Sequence, residues 1–381
     1  MPRSLFTAVA GLQTHQQRMD VLSDNISNAN TIGFKASRMT FIESFNQSLR
    51  QPSDNQPVGI TIGLGNQISC VAQQFTQGSF QRTGVDTDIA LSGDGFMVVQ
   101  DTSGAYYFTR DGSFSINADG YLITSLGYNV MGVSATWNNG ASADVEAADP
   151  GTSAPGAVGK LRISNTFYAN PTYNISTGTY DSTGNTVTIT TTASHGYAVG
   201  DTVVIADCAP AAYNGTFTIT AVTDTTFTYT PASAPATNMT TAGTATDTSI
   251  IRTNTTSSYS IGTDGKITLF GSQGDSLVAG YMTLANFANP QGLVRAGNSL
   301  YSFNSAAGSQ SGGTEFSPTD DVRKAGTNGY GTTQSGALEL STVDLADQFT
   351  DMIVTQRGFD ACAKVITTAD EMLQTLNGLK R

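Results

Sequence analysis

The sequence has few charged residues and no long apolar run. Only 13% of its 381 residues are charged, and 30 acidic residues against 18 basic ones give a formal net charge of −12. Nucleic-acid affinity depends on clustered Lys and Arg, so this balance argues against a phosphate-binding surface. No stretch reaches the ~18 apolar residues that a membrane span needs. The sequence therefore predicts neither nucleic-acid binding nor membrane insertion.

Side chains with catalytic or metal-binding chemistry are also scarce. The three cysteines, Cys70, Cys208 and Cys362, lie far apart without paired spacing, so neither a disulfide framework nor a zinc site is indicated. The two histidines, His15 and His195, lie in no catalytic motif. We therefore expect no catalytic residue, no metal and no cofactor, and we expect that the chain is not an enzyme.

The chain is rich in glycine and in small polar residues. It contains 40 glycines and 11 prolines, with long stretches of Thr, Ser, Asn and Ala. Low charge together with many Thr, Val and Tyr residues favours β-structure between polar turns rather than disorder. At roughly 150 residues per domain, the length allows two to four domains.

Both ends of the chain carry a helical heptad pattern. From Leu345 onwards an apolar residue recurs at every seventh position, and a more mixed series follows three residues after each. The first thirty residues carry a matching pattern, so we predict that the N- and C-terminal helices pair as a coiled coil. The mixed series is Gln348, Thr355, Cys362, Ala369 and Leu376. The candidate subunit-packing residues are Leu5, Leu12, Met19, Leu22, Ile26, Leu345, Met352, Phe359, Ile366, Leu373 and Leu376.

The N-terminal helix is predicted to start near Arg3 and to end before Gly33, because Asn and Gly tolerate the left-handed conformation of a helix cap. A short apolar stretch near its start resembles part of a secretory signal. The heptad pattern runs through that stretch, so we expect mature structure without a cleavable signal peptide. We interpret His15, at a seam position, as a register device rather than a ligand.

The sequence predicts a mainly β protein with α-helical termini. Apolar runs on either side of a turn at 101–104 predict a hairpin. In the insert, alternation at Val203/Ile205, Phe217/Ile219 and Phe227/Tyr229 predicts half-buried strands. The carboxylates Asp86, Asp88 and Asp94 are interpreted as turn residues, since the ligand pattern of a calcium loop is absent. Residues 36–74, with prolines and glycines, are predicted to be an irregular connector. The predicted domains are residues 1–35 with 341–381 as a helical coiled-coil domain, 36–74 as a connector, 75–164 with 251–340 as a β-rich middle domain, and 165–250 as an inserted β outer domain.

Four blocks of this sequence resemble the bacterial flagellar axial proteins, the hook and rod family. The N-terminal block is MPRSLFTAVAGLQTHQQRMDVLSDNISNANTIGFKASR, and the C-terminal block is GALELSTVDLADQFTDMIVTQRGFDACAKVITTADEMLQTLNGLKR. The block from Thr76 to Gly132 is similar to the β-domain of that family, and LANFANPQGLVRAGNSLYS is similar to its return half. The blocks cover about half of the chain in the order of the family.

The resemblance implies a structural subunit of the flagellar hook. Such a subunit self-assembles into a helical tube that acts as a universal joint and transmits torque from the rod to the filament. The implied partners are further copies of the chain, rod and hook–filament junction proteins, the hook cap and the type III export apparatus. The implied location is the extracellular hook or the basal body of the flagellum.

Two alternatives remain open at the level of sequence. A distal rod protein is a straight, stiff relative within the same family. A phage-like fibre or adhesin is the alternative from another class, because the Thr-rich insert resembles small β-repeats of phage tail and virion proteins.

Some branches of the hook family crosslink subunits through a cysteine. Cys208, predicted in an exposed loop of the insert, is a candidate for that role, and an unreactive thiol is the alternative.

Overall fold

The computed structural model describes residues 3–50, 60–137, 144–147, 149, 158–170, 172–248, 252–272 and 274–379. Within these residues the chain is mostly β-structure, with one long α-helix at each end. This confirms the fold class predicted from the sequence. The N-terminal helix α1 spans Arg3–Ser27 and the C-terminal helix α2 spans Leu345–Leu379. Neither helix is long and apolar enough over its described residues to cross a membrane.

The strands lie between the two helices. In chain order they are β1 (Ser37–Glu43), β2 (Asn46–Arg50), β3 (Ile60–Gly63), β4 (Asn66–Gln73), β5 (Phe80–Arg82), β6 (Ile89–Ser92), β7 (Phe96–Gln100), β8 (Tyr106–Thr109), β9 (Phe114–Ile116), β10 (Leu122–Thr124), β11 (Asn129–Ser134), β12 (Gly159–Lys160), β13 (Thr166–Ala169), β14 (Thr172–Asp181), β15 (Thr186–Thr191), β16 (Thr202–Ala206), β17 (Gly215–Val222), β18 (Thr226–Tyr229), β19 (Thr244–Asp247), β20 (Arg252–Ile261), β21 (Lys266–Gly271), β22 (Ser276–Ala285), β23 (Val294–Gly297), β24 (Leu300–Ser302), β25 (Val322–Lys324), β26 (Thr332–Ser335) and β27 (Ala337–Glu339).

The chain divides into two compact units. The first consists of Met1–Phe114, Thr124–Tyr128 and Leu284–Arg381, and the second of Ser115–Ile123 and Asn129–Thr283. The domain boundaries given by the sequence stay a prediction.

In the first unit α1 packs against α2, and the strands are antiparallel. Strands β7, β8, β24 and β23 pair with one another in that order. The pairs β6–β26 and β5–β27 lead the chain back towards α2. The core of this unit is aromatic: the ring of Phe108 lies 4.8 Å from those of Phe287 and Phe316. The predicted hairpin on either side of the turn at 101–104 is confirmed by the pairing of β7 with β8.

The segment after α1 differs from the sequence prediction. Residues 36–74 were predicted to be irregular, but β1 pairs with β4 and β2 pairs with β3, both antiparallel. The irregular prediction was therefore wrong for the described part of this segment, while residues 51–59 lie outside it. Met39 and Val71, for example, pair directly across β1 and β4. Strand pairing satisfies the backbone hydrogen-bonding groups there.

The second unit contains an open sheet and a closed barrel. The sheet runs in the order β13–β20–β21–β22–β11, with β12 on β11. The barrel closes in the order β14–β15–β18–β17–β16–β19. Ala169, the last residue of β13, pairs with Arg252, the first residue of β20. The barrel is therefore inserted between the end of β13 and the start of β20.

The alternating pattern predicted for the insert is confirmed. Val203, Ile205, Ile219, Phe227 and Tyr229 are buried in the barrel core. Half-buried residues alternate with the buried ones along β16 and β18, and in β18 these are threonines.

The thiol of Cys208 also lies in the barrel core. It is only 5% exposed, and burial raises its pKa. The predicted exposure of Cys208 was therefore wrong. A buried protonated thiol is a poor nucleophile, which argues against an intersubunit crosslink through this residue.

Candidate functional site

The paired terminal helices are the candidate site, because their pattern is the most regular in the sequence. α2 begins after Asp344, whose side chain accepts the N–H of Ala346 at 2.9 Å and so caps a free helical donor. α1 ends at Ser27, and Gly33 adopts a positive φ of 66° shortly after it. The predicted start of α1 and its glycine-containing end are both confirmed.

Four contacts fix an antiparallel register between α1 and α2: Gly11 with Cys362, His15 with Gly358, Arg18 with Asp351, and Asn25 with Gln348. Gly11 lies against Cys362, and a Cβ added at Gly11 would lie 2.9 Å from the Cys362 Sγ. One turn further along α1, the imidazole of His15 fills the space beside Gly358, where an added Cβ would lie 2.6 Å from the ring. The two glycines let the helix backbones approach closely, since any larger side chain would meet the opposite helix.

A buried amide joins both helices to the first strand. The Asn25 amide donates to Gln348 Oε1 at 2.9 Å and to the carbonyl of Ser37 at 2.8 Å. Its oxygen accepts the N–H of Ser37 at 2.9 Å. Asn25 is only 1% exposed, so its hydrogen bonds replace the water that these groups would otherwise bind. One side chain therefore fixes the entry into β1 and the start of the helix pair.

Polar residues on α1 flank the seam near its middle. The His15 ring lies 5.9 Å from the Phe41 ring, edge to face, and burial together with nearby Arg18 lowers the pKa of His15. His15 is therefore neutral at neutral pH, as suits its role against Gly358. Arg18 forms a partly exposed ion pair with Asp351 at 3.2 Å. Thr14 donates to Asn66 Oδ1 at 3.2 Å, which holds β4 against the helix.

The predicted packing residues lie in several environments. Leu22 is buried, whereas Leu345 and Leu376 are exposed, Leu376 by 62%. The half-buried members are Leu5, Leu12, Met19, Ile26, Met352, Phe359, Ile366 and Leu373. By the antiparallel register, Leu376 lies beyond the start of α1, so no residue of α1 can cover it. Their role in subunit packing stays a prediction.

Residues outside that set make the tightest contacts of the helix pair. The mixed heptad series of α2 includes the buried Thr355 and Ala369 and the Cys362 that meets Gly11. Large apolar residues dominate a heptad count, so the small and polar residues were left out of the predicted site. The signal that identifies them is small residues at seam positions of both helices, which permit close backbone approach.

Both helices also expose apolar side chains. On α2, Val354, Val365, Met372 and Leu376 are exposed and lie on one face, because they are spaced by 11, 7 and 4 residues. The other exposed apolar side chains of the two helices are Phe6, Val9, Leu345, Phe349 and Ile353. We call the four residues on one face of α2 the outer stripe. Exposed apolar side chains grouped on one face of a helix are typical of an interaction site.

Three family models match the chain. The flagella basal body rod protein model matches residues 5–35, which lie in and just after α1. The flagellar hook protein FlgE/F/G D1 domain model matches residues 90–221. The flagellar basal body rod FlgEFG protein C-terminal model matches residues 334–379, which contain α2.

Relatives of full length carry two kinds of name. The flagellar hook protein FlgE of Borreliella burgdorferi is 31% identical over 470 residues, with 100% of both chains covered. The flagellar basal-body rod protein FlgG of Bacillus subtilis is 27% identical over 386 residues, again with 100% of both chains covered. The crystal structure of Helicobacter pylori flagellar hook protein FlgE2 covers 68% of this chain and 100% of that chain at 12% identity. Its TM-score of 0.40 is too low to establish a common fold.

Proposed function

This chain belongs to the flagellar hook and rod protein family, and on that premise we propose that it is the subunit of the flagellar hook. Hook and rod subunits alike are structural proteins that polymerise within the axial structure of the flagellum. The hook would be a curved tube that acts as a universal joint and carries torque from the rod to the filament.

The outer stripe is the observation that carries this proposal. A helix pair that buried all of its apolar side chains within one chain would have nothing left to pack against a neighbour. Here Val354, Val365, Met372 and Leu376 remain exposed beside a well-packed seam. Apolar faces on both terminal helices suit contacts between successive copies, and open head-to-tail contacts generate a helical array when the rotation does not close a ring.

The β-structure suits the outer layers of such a tube. Low charge and Thr-rich strands would let the barrels of neighbouring subunits slide past one another as a curved tube rotates. In this proposal, residues 1–35 with 341–381 form the inner helical layer and 165–250 form the outer domain. The outer domain and the β-rich middle domain, residues 75–164 with 251–340, would then be attached to the helical layer and would not drive assembly.

The remaining partners and the location follow from the same proposal. The hook subunit would be exported by the type III apparatus without a cleaved signal and would assemble beneath the hook cap. It would contact the rod at one end and the junction proteins at the other, outside the cell. Its role would be structural and not catalytic.

A distal rod protein is the second candidate, and one observation favours it. The alignment with the B. subtilis rod protein spans 386 residues, close to the 381 of this chain, whereas the alignment with the B. burgdorferi hook protein spans 470. Both alignments cover the whole chain, so the rod alignment opens fewer gap positions in this chain, although the hook protein has the higher identity.

Electron microscopy of negatively stained protein tests the proposal. We expect the full-length chain to form curved tubes, and we expect a version lacking residues 1–33 and 343–381 to stay monomeric. Straight tubes would favour the rod protein. Identical discrete particles from both versions under polymerising salt would contradict the role of the helices and favour the phage-like fibre or adhesin.

A further inference from the structure

Three charged side chains are buried together beyond the end of α1. The side chains of Lys35, Arg110 and Glu339 are 1%, 4% and 0% exposed. Lys35 Nζ lies 2.7 Å from Glu339 Oε1, and Arg110 Nη1 lies 3.5 Å from Glu339 Oε2. With Gln77 they form what we call the Glu339 cluster. Charged groups this deeply buried are rare unless each one has a partner.

Several parts of the chain converge on Glu339. Besides Lys35, its Oε1 accepts the side-chain amide of Gln77 at 3.0 Å and the N–H of Gly78 at 2.8 Å. Its backbone carbonyl accepts the N–H of Gly33 at 2.8 Å. Glu339 is thus bonded through both its side chain and its backbone.

The two cations have one further acceptor each. Lys35 Nζ donates to the carbonyl of Thr76 at 2.7 Å, and Arg110 Nη2 donates to the carbonyl of Gly93 at 2.9 Å. Burial lowers the pKa of both Lys35 and Arg110, and the charge of Glu339 opposes that effect. The carboxylate therefore favours the charged form of both side chains.

The cluster lies where both terminal helices meet the strands of the first unit. Lys35 is between the end of α1 at Ser27 and the start of β1 at Ser37. Glu339 is the last residue of β27, and α2 begins six residues later at Leu345. The backbones of Gly33 and Arg110 also approach closely, since a Cβ added at Gly33 would lie 2.7 Å from the backbone of Arg110.

We propose that Glu339 is a positioning residue that couples the segment after α1 to the strands of the first unit, with Lys35 as the side chain that it captures. A buried ion pair adds little net stability compared with apolar residues of the same volume, but removing one partner leaves a buried charge without its hydrogen bonds, which is strongly destabilising. The cluster therefore determines where the helix pair joins the strands. This inference concerns the subunit itself and does not depend on whether the polymer is a hook or a rod.

Hydrogen exchange of the full-length chain, free and assembled, tests the coupling. In the Lys35→Met variant we expect the protection of residues 28–43 to fall by at least about tenfold, because one partner of a buried pair is lost. The protection of residues 89–100, in β6 and β7, should change by less than about twofold if those strands keep their own pairing.

The control is Asp24→Asn, which breaks the exposed ion pair of Asp24 with Arg295 at 3.0 Å. That pair also links α1 to the strands, but exposed pairs contribute little, so protection should fall by less than about threefold. The proposal is overturned if Lys35→Met leaves residues 28–43 as protected as in the wild type. It is also overturned if residues 28–43 and residues 89–100 lose protection to the same extent in Lys35→Met. A third contradicting result is free exchange of residues 28–43 in the wild type, both in the free and in the assembled protein.

The order of effects among variants provides a second test. Lys35→Met leaves Glu339 with Arg110, Gln77 and Gly78, whereas Glu339→Gln leaves two buried cations without a carboxylate. We therefore expect Glu339→Gln to lose more protection than Lys35→Met, and the double variant to recover part of that loss. A double variant no better protected than Glu339→Gln would contradict the capture of Lys35 by Glu339.

Discussion

Single small residues determine how closely the two helices approach. Gly11 and Gly358 each face a side chain of the opposite helix, and neither leaves room for a Cβ. Glycine weakens an isolated helix by roughly 1 kcal/mol relative to alanine. The close packing at these two positions therefore offsets a local cost in helix propensity.

Replacing Gly358 with leucine should weaken the helix pair. The new side chain would overlap the His15 ring, and overpacking of this kind costs about 1–3 kcal/mol. We expect the protein concentration needed for assembly to rise by about tenfold, measured by pelleting the polymer. The matched control is Gly378→Leu on the same helix, since Gly378 has no atom within 4 Å of an added Cβ. Equal effects of the two substitutions would contradict close packing at Gly358.

Asn25→Ala should destabilise the junction between α1 and β1. The substitution leaves the N–H and carbonyl of Ser37 without their side-chain partner, which costs about 1–3 kcal/mol for buried groups. We expect a lower thermal midpoint for the helical circular dichroism signal of assembled protein. Exposed Asn30 provides the control, because Asn30→Ala should change that midpoint little. An unchanged midpoint in Asn25→Ala would show that water replaces the amide without loss.

At the scale of elements, the barrel is a self-contained insertion. Its core includes Tyr213, Phe227 and Tyr229, and it joins the open sheet where Ala169 pairs with Arg252. A closed barrel has no unpaired edge strand, so it satisfies its own backbone hydrogen bonds.

Removal of the barrel should leave assembly intact. Replacing residues 170–251 with Asn-Gly would close β13 and β20 into a two-residue hairpin. We expect this shortened chain to form tubes of smaller outer diameter, seen by electron microscopy. Loss of tubes from a chain that still shows the native circular dichroism of its helices would instead place essential contacts in the barrel.

The stability of the barrel should depend on pH through His195. Its side chain is buried, and burial lowers its pKa from 6.5, so the unfolded chain takes up a proton that the folded barrel does not. Stability is therefore full above pH 6.5 and falls as the pH decreases from there, by up to about 1.4 kcal/mol per pH unit.

Urea unfolding of the barrel, followed by hydrogen exchange of residues 186–229 at several pH values, measures this dependence. The His195→Gln variant keeps an acceptor for the N–H of Tyr197 but does not titrate, so its slope should be flatter. The same slope in both proteins would show that another group causes the pH dependence.

At the scale of the whole molecule, patterns that repeat along the chain were predictable. The heptads gave both helices, and alternation gave strands such as those of Val203 and Phe227. Contacts between residues far apart in sequence were not predictable. The Asn25–Gln348 bond and the Lys35–Glu339 pair join opposite ends of the chain, and the local pattern around one partner does not identify the other. Pairing of β1 with β4 was missed because the two strands flank a long segment rich in turn residues.

In the proposed hook, the outer stripe packs between copies of the chain in the assembled tube. Pelleting of a Val365→Asp, Met372→Asp double variant tests it most directly, because two carboxylates buried in an apolar contact between copies would prevent assembly. The control is Thr367→Asp with Gln374→Asp, which places the same charges at the same spacing on another face of α2. We predict that the first variant stays in the supernatant with its helical content retained, while the control pellets as tubes. Tubes from the first variant at the wild-type concentration would show that the outer stripe does not pack between copies.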